Sequence, residues 1–429
     1  MKKSALSVIV LAALASLPAV AQAESLEQYF LAGKVSGDIR SYYFNQFFAG
    51  SSVPNRYAYS LGGMIKAQTA PLAGVSAAVA FYTANALGAN DLIAPDYVRL
   101  DPLLMGPKES LNVLGQAYLQ YQDRWAKLQV GNILLNTPWM NGADAFMIPN
   151  TYQGVSITVH PLPYVSLMGI RQFRYKNRIQ SDYHRETLLN ENPDYSYLPD
   201  NSNGTLAFGA QAHYDGVSAN AWFYRFYDLA NLLYATAGYK TPVLLGHFQP
   251  FADFQYAREW ADGNALAGPI NANVYGGMLG LKARYAGVHG QIFAAYDHIT
   301  QRRITLPTGK VLDNGGFISP YSQQYSADPL YTSIMDYGLI SSASGGHAWK
   351  FGLVVFPIHN LRIKYSYSLY HTGPFLPNVA ANYIDVTYTP GCFWKGLSLR
   401  NRLAIDHSNP FADYKGTFID DRLMLQYSF

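Results

Sequence analysis

Hydrophobic and polar residues alternate with a period of two in many short segments of this chain. In "GLSLRNRLAID", the leucines share one face, whereas Arg400 and Arg402 lie on the other. The segment "NLRIKYSYSLYH" sets Arg362 and Lys364 opposite apolar residues, and "DRLMLQYSF" sets Arg422 opposite leucines. Strict alternation of this kind predicts β-strands with one apolar and one polar face.

The same alternation recurs from one end of the chain to the other. In "NVLGQAYLQYQ", it places Val113, Leu119 and Tyr121 on the apolar face, and Gln116 and Gln120 on the polar face. The pattern predicts about eighteen strands, an even number, as is typical of single-chain bacterial membrane barrels. They are expected at 35–45, 57–70, 74–85, 110–123, 125–136, 151–160, 164–176, 205–214, 217–228, 231–240, 246–259, 274–286, 288–299, 347–357, 360–372, 382–390, 396–407 and 418–429.

The connections between these strands alternate between short and long. Short ones include "TAPLAG", "HPLP" and "AGVH", and long ones fall near 86–109, 137–150, 177–204 and 300–346. Outer-membrane barrels have short periplasmic turns and longer external loops, whereas a soluble β-sandwich needs no such alternation. An open sheet edge in hydrocarbon would also leave backbone groups unpaired. The sequence therefore predicts an all-β fold, a closed antiparallel transmembrane β-barrel whose leucines face lipid and whose arginines face a watery lumen.

The N-terminus has the features of a secretory signal peptide. Lys2 and Lys3 precede an apolar stretch that Pro18 interrupts, and Ala21-Gln22-Ala23 supplies the small residues that a signal peptidase reads. We expect cleavage after Ala23, so that residues 1–23 are a signal peptide and residues 24–429 form a single barrel domain. This predicts export in a Gram-negative bacterium, with the outer membrane as the destination.

Composition agrees with a barrel and excludes several other classes of protein. The chain has 35 Tyr, 22 Phe and 6 Trp, which suits the aromatic girdles of a barrel, and Cys392 is its single cysteine. The formal net charge is only +3, with the cations scattered along strands, so we expect no nucleic-acid partner. The ten His residues show no metal-binding spacing, and we expect neither a metal ion nor a cofactor.

Four stretches of the chain resemble the OprD family of outer-membrane porins, also called outer-membrane carboxylate channels. They are "GKVSGDIRSYYFNQ", "VGNILLNTPWMNGADAFMIPNTYQGVSI", "LRNRLAID" and "LMLQYSF", of which the second is the most specific. The resemblance implies an 18-stranded barrel whose third and seventh external loops fold inward. It also implies uptake of small carboxylate-bearing solutes along a row of basic side chains. The chain departs from the family pattern at Phe146-Met147-Ile148-Pro149, where the family commonly has Arg or another polar residue before the proline.

A basic ladder is expected on the lumenal face. Positive groups in a narrow passage with low-dielectric walls raise the local concentration of anions, and a guanidinium can grip a carboxylate with two hydrogen bonds. In the alternative interpretation, the cations pair across strands with Asp38, Asp297, Asp385 and Asp406 and only fill the wall. By strand register the ladder comprises Arg40, Lys282, Arg284, Lys350, Arg362, Lys364, Arg400, Arg402 and Arg422.

The segment "NTPWMNGADAFMIP" is the candidate constriction loop. Its apolar residues would be poorly placed on an exposed loop, whereas folding inward would bury them and leave Asp144 facing the pore. The candidate residues are Trp139, Met140, Asp144, Phe146 and Met147. The alternative is an external loop that packs on itself or contacts a partner. The segment 300–346 is a second inward-folding candidate, and the basic run 171–178 is expected to meet lipopolysaccharide or solvent.

These observations favour a substrate-selective diffusion channel over an enzyme or an adhesin. The chain has no GxSxG motif, and the residues before the first strand are too few for a plug domain. Expected partners are small anionic or zwitterionic solutes, outer-membrane lipid and lipopolysaccharide, and the barrel-assembly machinery, which would read the strand ending in Phe429. The barrel is expected to be a monomer or a loose trimer. An outer-membrane barrel enzyme or a structural barrel remains the alternative.

Overall fold

The structure is a computed structural model that describes residues 25–94, 96, 98–107, 109–143, 145–322, 328–340, 344–373, 377–391, 394–410, 413 and 416–429. Within these residues, eighteen long strands form one sheet. The strands are β1 (Lys34–Ala49), β2 (Arg56–Gln68), β3 (Val75–Asn85), β4 (Ser110–Gln122), β5 (Ala126–Ile133), β6 (Thr151–Leu162), β7 (Val165–Lys176), β8 (Thr205–Tyr214), β9 (Val217–Phe226), β10 (Ala230–Lys240), β11 (Phe248–Ala261), β12 (Asn271–Tyr285), β13 (Val288–Ile299), a short hairpin of β14 (Ile304–Thr305) and β15 (Val311–Leu312), β16 (Gly346–Ile358), β17 (Leu361–His371), β18 (Val379–Tyr388), β19 (Leu397–His407) and β20 (Thr417–Ser428).

Each long strand pairs antiparallel with the next, and the last strand closes the barrel against the first. Along this seam, β1 and β20 pair from Asp38 opposite Ser428 to Ala49 opposite Thr417. Closure leaves no unpaired strand edge to face the hydrocarbon. The predicted fold class, a closed 18-stranded antiparallel barrel, is confirmed. Two short helices, α1 (Leu26–Leu31) and α2 (Ala89–Ile93), lie outside the sheet, and no described helix is long and apolar enough to cross a membrane.

The alternation of residues along the strands sorts them between the outer and inner faces. In β20, Leu423 and Leu425 are 43% and 44% exposed on the outside, whereas Arg422 and Asp420 are at most 1% exposed. Successive side chains of a strand point to opposite faces, so the cations that alternate with outward-facing leucines point into the barrel.

A β-bulge in β4 breaks the strict alternation there. Ala80 pairs with Gln116 and Phe81 pairs with Leu114, so Gly115 forms a β-bulge without a partner of its own in β3. A bulge shifts the register by one residue and reverses the faces. Val113 is therefore buried inside the barrel and Leu114 faces outward, and the predicted outward position of Val113 was wrong.

The two ends of the barrel differ in their connections. One end, here called the turn end, has tight hairpins such as Asp215-Gly216, where both residues have positive φ, as a two-residue hairpin turn requires. The other end, the loop end, carries the long connections. Several of these reach into the barrel, among them L3 (residues 134–150), between β5 and β6, and L7 (residues 300–345), between β13 and β16. The buried apolar residues of both loops lie in the clusters that fill the barrel interior.

Candidate channel interior

A single buried aspartate organises the basic residues of β17, β18 and β19. The carboxylate of Asp385, which is 2% exposed, accepts hydrogen bonds from Arg400 Nε at 2.9 Å and Nη2 at 2.8 Å, and from Arg362 Nη2 at 2.7 Å. Bidentate arginine–carboxylate pairs are strong and fix the geometry of both groups. Asp385 thus holds two guanidinium groups side by side while neutralising only one of the two charges.

Two further cations lie beside this group. Arg402 Nε donates to the hydroxyl of Tyr383 at 3.0 Å, and the Lys364 ammonium lies 5.3 Å from the centre of the same ring. Both cations are in register with Asp385 on the neighbouring strands. Four positive charges therefore face one carboxylate, which leaves an excess of three on this part of the wall.

The cations of the barrel seam are paired one to one. Arg422 donates to Asp420 through Nε at 2.8 Å and Nη2 at 2.5 Å, and Arg40 Nε lies 3.0 Å from Asp38. In each pair the acid lies two residues away on the same strand and face. Both arginines are therefore ion-paired, but with an acid of their own strand and not across strands as the alternative interpretation expected, and Asp420 is not one of the acids that the sequence suggested.

Lys350 differs from the rest of the predicted ladder. It is 4% exposed, and its ammonium donates to the carbonyl oxygens of Tyr331 at 3.2 Å and Ser333 at 2.6 Å. Both acceptors belong to L7. Lys350 thus lies beneath L7, and its ammonium is hydrogen-bonded to that loop.

Lys282 and Arg284 lie on β12 near the turn end of the lumen. With Arg362 and Lys364 they line a cavity of about 830 Å³, here called the turn-end cavity. An adjoining cavity of about 420 Å³ shares Arg362 and is also lined by Arg400. Among the described residues that line these two spaces there is no Asp or Glu. Five of the nine predicted ladder residues thus border open space on one continuous stretch of wall.

L3 folds into the barrel. Its candidate residues Trp139, Met140, Phe146 and Met147 are each at most 1% exposed, whereas Asp144 lies outside the described residues. The Phe146 ring stacks on Tyr42 of β1 with centroids 6.3 Å apart.

The other half of L3 reaches the opposite wall. The Trp139 ring lies 5.7 Å from Tyr234 of β10 and 5.4 Å from Phe317 of L7. Because β1 and β10 are nine strands apart in a ring of eighteen, contacts with both mean that L3 crosses the interior.

L7 also lies inside the barrel, held by acids of the wall. The amide of Ile318 donates to Glu259 Oε2 at 2.8 Å. The amide and the hydroxyl of Thr332 donate to Asp297 Oδ2 at 2.6 and 2.8 Å. Asp297 was a candidate partner for a ladder cation, and its carboxylate is instead occupied by the loop.

The sequence reasoning missed several cations of the interior, among them Lys66, which donates to the Tyr118 hydroxyl at 3.0 Å, and two residues of a basic run. The basic run 171–178 was expected to meet lipopolysaccharide or solvent, and this is wrong for Lys176 and Arg178. Lys176 is fully buried and donates to the carbonyl of Pro149 at 3.4 Å, and the Arg178 guanidinium lies 4.2 Å from the centre of the Phe146 ring. Arg174 of the same run is exposed, as expected. The signal that could have found Lys176 is its place in β7, which continues to that residue.

Burial raises the pKa of several carboxyl groups in the long connections, among them Asp101 and Asp336. Asp101, which is 1% exposed, has its pKa raised to about 7 because burial disfavours the charged form. Burial also raises the pKa of Asp336 in L7 to about 7, and the nearby charge of Asp420 acts in the same direction. Among the described residues, no cluster of His, Cys, Asp and Glu could hold a metal ion.

Comparison with known proteins agrees with this architecture. The model of the OprD family of outer membrane porins matches residues 116–301, from β4 into the start of L7. No sequence among the curated proteins gives a significant match. The structure of Pseudomonas aeruginosa OccK9 (OpdG) superposes with a TM-score of 0.74 at 18% identity, covering 94% of this chain and 99% of that one.

Two further similar structures were solved with ligands. Pseudomonas aeruginosa OpdK with vanillate has a TM-score of 0.74 at 16% identity, over 94% of this chain and 99% of that chain. Pseudomonas aeruginosa OccK2 (OpdF) in complex with glucuronate has a TM-score of 0.69 at 13% identity, over 94% and 97%. At these identities, the structures establish a shared fold. The resemblance to the OprD family that the sequence motifs indicated is confirmed.

Proposed function

Because this chain resembles the OprD family of outer membrane porins in both sequence and fold, we propose that it is a passive, substrate-selective diffusion channel. Its substrates would be small carboxylate-bearing solutes that cross the outer membrane. The resemblance is to channels rather than to enzymes, and the proposed action is guidance of a solute, not its chemical conversion.

The observation that carries the proposal is the excess of positive charge along one side of the lumen. Lys282, Arg284, Arg362, Lys364 and Arg400 border two adjoining cavities whose described lining residues include no carboxylate. Fixed positive groups beside a low-dielectric wall concentrate anions and speed their entry. An anion could exchange from one cation to the next along this wall without full dehydration at any one position.

L3 and L7 would supply selectivity by narrowing the path. Both loops contact the inner wall, and L3 spans from β1 to β10. A solute entering from the loop end must then pass close to the cations that the loops leave accessible. Vanillate and glucuronate, the ligands of two similar structures, are both carboxylates, which supports the substrate class proposed for this chain.

The barrel seam supports assembly through the C-terminus. Phe429 and Gly37 exchange two backbone hydrogen bonds, at 2.9 and 3.0 Å, so the last residue still belongs to the paired seam. Its side chain is 55% exposed, and the barrel-assembly machinery would recognise this aromatic group on the final strand.

The test is the reversal potential of the purified protein in a planar lipid bilayer under a KCl gradient. We expect anion preference in the unaltered barrel, a weaker preference in the double variant Lys364→Gln/Arg400→Gln, and no change in Arg174→Gln, which removes an exposed cation from β7. Current interruptions on adding a carboxylate should likewise become rarer in the double variant. A cation-selective pore that ignores carboxylates would contradict the proposal, as would a folded barrel without conductance.

A further inference from the structure

The outer face of the barrel carries two arginines near the loop end, one on β7 and one on β9. Arg171 is directly opposite Leu206 of β8, which is directly opposite Arg225. Directly opposed side chains of antiparallel strands lie on the same face of the sheet. This face is the outer one, because Phe208, two residues further along β8, is 53% exposed. Two guanidinium groups therefore lie close together on the wall that faces the membrane.

Both guanidinium groups contact the same aromatic ring. The Cζ atom of Arg171 lies 4.8 Å from the ring centre of Tyr227, and that of Arg225 lies 4.9 Å from it. Arg171 also lies 4.7 Å from the ring centre of Phe173, which is 44% exposed. Aromatic rings hold a guanidinium in place while its edge remains a fork of hydrogen-bond donors. The rings thus pre-arrange two sets of donors at the rim of the membrane-facing wall.

Contacts within the protein use only part of this hydrogen-bonding capacity. Arg171 Nη1 donates to the carbonyl oxygens of Gln172 at 2.6 Å and Thr205 at 3.3 Å, which leaves its positive charge uncompensated by these contacts. Arg225 donates through Nε to Asp262, at 3.0 Å from Oδ1. A guanidinium has five N–H donors, so both arginines keep donors for an external acceptor. Phosphate oxygens are acceptors that match this planar fork.

The wall beneath the arginines is apolar. One row closer to the turn end, Phe208 is directly opposite Phe223, which is in turn opposite Leu233 of β10. Leu167 of β7 belongs to the same outer surface, and it is 44% exposed, whereas Leu233 is 39% exposed. This surface suits the acyl chains of a lipid whose charged group lies at the level of the arginines.

Above the arginines, the connections of the loop end enclose a polar pocket of about 410 Å³, here called the rim pocket. Tyr227 lines this pocket too, so the pocket adjoins the two guanidinium groups. Its other lining residues include the amide and hydroxyl side chains of Asn201, Ser202, Asn203 and Asn264. Amides and hydroxyls offer both donors and acceptors, as the hydroxyl groups of a saccharide require. The rim pocket therefore suits a sugar better than an apolar group.

From this succession of surfaces we infer that the outer face of β7–β9 and the rim pocket together bind a phosphorylated glycolipid of the outer leaflet, namely lipopolysaccharide. Its phosphate meets Arg171 and Arg225, its acyl chains lie on the apolar wall, and its sugars reach the rim pocket beside Tyr227. The sequence left lipopolysaccharide and solvent as alternatives for the run 171–178, and the geometry points to lipopolysaccharide for Arg171. The site faces lipid instead of the lumen, so it does not depend on which solute the barrel conducts.

The experiment is native mass spectrometry of the detergent-solubilised full-length barrel during titration with rough lipopolysaccharide, lipid A without core sugars, and phosphatidylglycerol. We expect lipopolysaccharide to bind at least about tenfold more tightly than phosphatidylglycerol, which has a phosphate and acyl chains but no sugar. Arg171→Gln removes a charged donor, so it should weaken lipopolysaccharide and lipid A binding by about tenfold. Arg225→Gln provides a second test if Arg171→Gln does not fold.

The matched control is Arg124→Gln, which removes an arginine that lies 4.8 Å from the ring centre of Trp125 at the turn end. Its affinity for lipopolysaccharide should equal that of the unaltered barrel. Asn201→Trp places a large side chain at an exposed position of the rim pocket, and it should lower the affinity for lipopolysaccharide to that for lipid A. Retention of the heat-resistant folded band on an unheated gel shows that each variant barrel is intact.

Three results would overturn the inference. The first is phosphatidylglycerol binding as tightly as lipopolysaccharide, which would indicate a general anionic-lipid surface. The second is unchanged lipopolysaccharide affinity in the folded arginine variants, or an equal loss in Arg124→Gln. The third is an Asn201→Trp barrel that still prefers lipopolysaccharide to lipid A as the unaltered barrel does, because the sugars would then lie outside the rim pocket.

Discussion

Arg40 Nη1 donates a hydrogen bond of 2.7 Å to the backbone carbonyl of Phe146, a residue 106 positions away in the chain. The same phenylalanine lies beneath the guanidinium of Arg178, at 4.2 Å from its ring centre, and 4.9 Å from that of Arg422. Three cations, one from β1, one from β20 and one from just beyond β7, thus converge on a single residue of L3. These contacts with the barrel wall fix the position of L3.

The first prediction concerns this attachment. Truncation of a fully buried phenylalanine typically costs about 3–5 kcal/mol. In Phe146→Ala we expect the docking of L3 against the wall to lose this free energy, while the barrel itself stays folded, because the strands pair with one another independently of the loop. Single-channel recording should show a larger conductance and stronger open-channel noise, while the folded barrel persists.

The control for this variant is Phe173→Ala, which removes a ring that is 44% exposed on β7. Its conductance should match that of the unaltered protein. If Phe146→Ala conducts like the unaltered barrel with equally quiet current, L3 is not held by this side chain and does not limit the passage.

The second prediction concerns the removal of a negative charge from the lumen, which should strengthen the anion preference that removal of cations weakens. Asp385→Asn removes the one carboxylate that Arg362 and Arg400 share, while keeping a side chain that can accept hydrogen bonds. A unit charge about 6 Å from the path is worth about 0.7 kcal/mol in water, so anion permeability should rise about threefold and cation permeability fall about threefold, which raises their ratio about tenfold. The reversal potential measures this ratio, and a fall in it would show that the two arginines do not act on the permeating ion.

The strands of this fold could be predicted from the sequence because each is long enough to show the period of two. All eighteen predicted strands overlap strands of the structure, with ends that differ by a few residues. The exception at Val113 has a local cause. A bulge at Gly115 changes the face of every residue before it in β4, and a pattern of alternating residues contains no sign of the extra residue.

The interior was harder to predict because it depends on contacts between distant segments. Register assigns the ladder cations to one face of the sheet, but it could not distinguish Lys350, whose ammonium is hydrogen-bonded to L7, from Lys364, which borders open space. The same limit applies to Arg178, which lies just past the end of its strand and contacts a loop that begins elsewhere in the sequence.

The third prediction tests the anchoring of L7. In Lys350→Met the loop loses two hydrogen bonds from a charged donor, each worth about 1.5–3 kcal/mol. Local opening of L7 should then become at least about tenfold more frequent, and limited proteolysis of the folded barrel should cleave this loop correspondingly faster. The control is Lys310→Met in the same loop, where the lysine is exposed and pairs only loosely with Asp194 at 3.6 Å. Equal cleavage rates in the two variants would contradict the anchoring role.

The fourth prediction is a pH dependence of the same loop. The buried carboxyl of Asp336 has a pKa raised to about 7, first by burial and then by the charge of Asp420. Asp406 also contacts it, and Arg422 and Arg402 act in the opposite direction. When L7 is undocked, this carboxyl returns to its ordinary pKa near 4. The docked loop therefore binds the proton more tightly, and docking is most favourable below pH 4.

As the pH rises from about 4 towards about 7, this contribution is lost, by at most about tenfold in the docking equilibrium per pH unit for one linked proton. Single-channel records should accordingly show more frequent conductance fluctuations at pH 7.5 than at pH 5. The variant Asp336→Asn keeps a neutral side chain of the same shape, so it should stay quiet at both values, whereas Lys310→Met should retain the pH dependence. If Asp336→Asn fluctuates with pH as the unaltered barrel does, the titrating group lies elsewhere and this carboxyl does not control the attachment of L7.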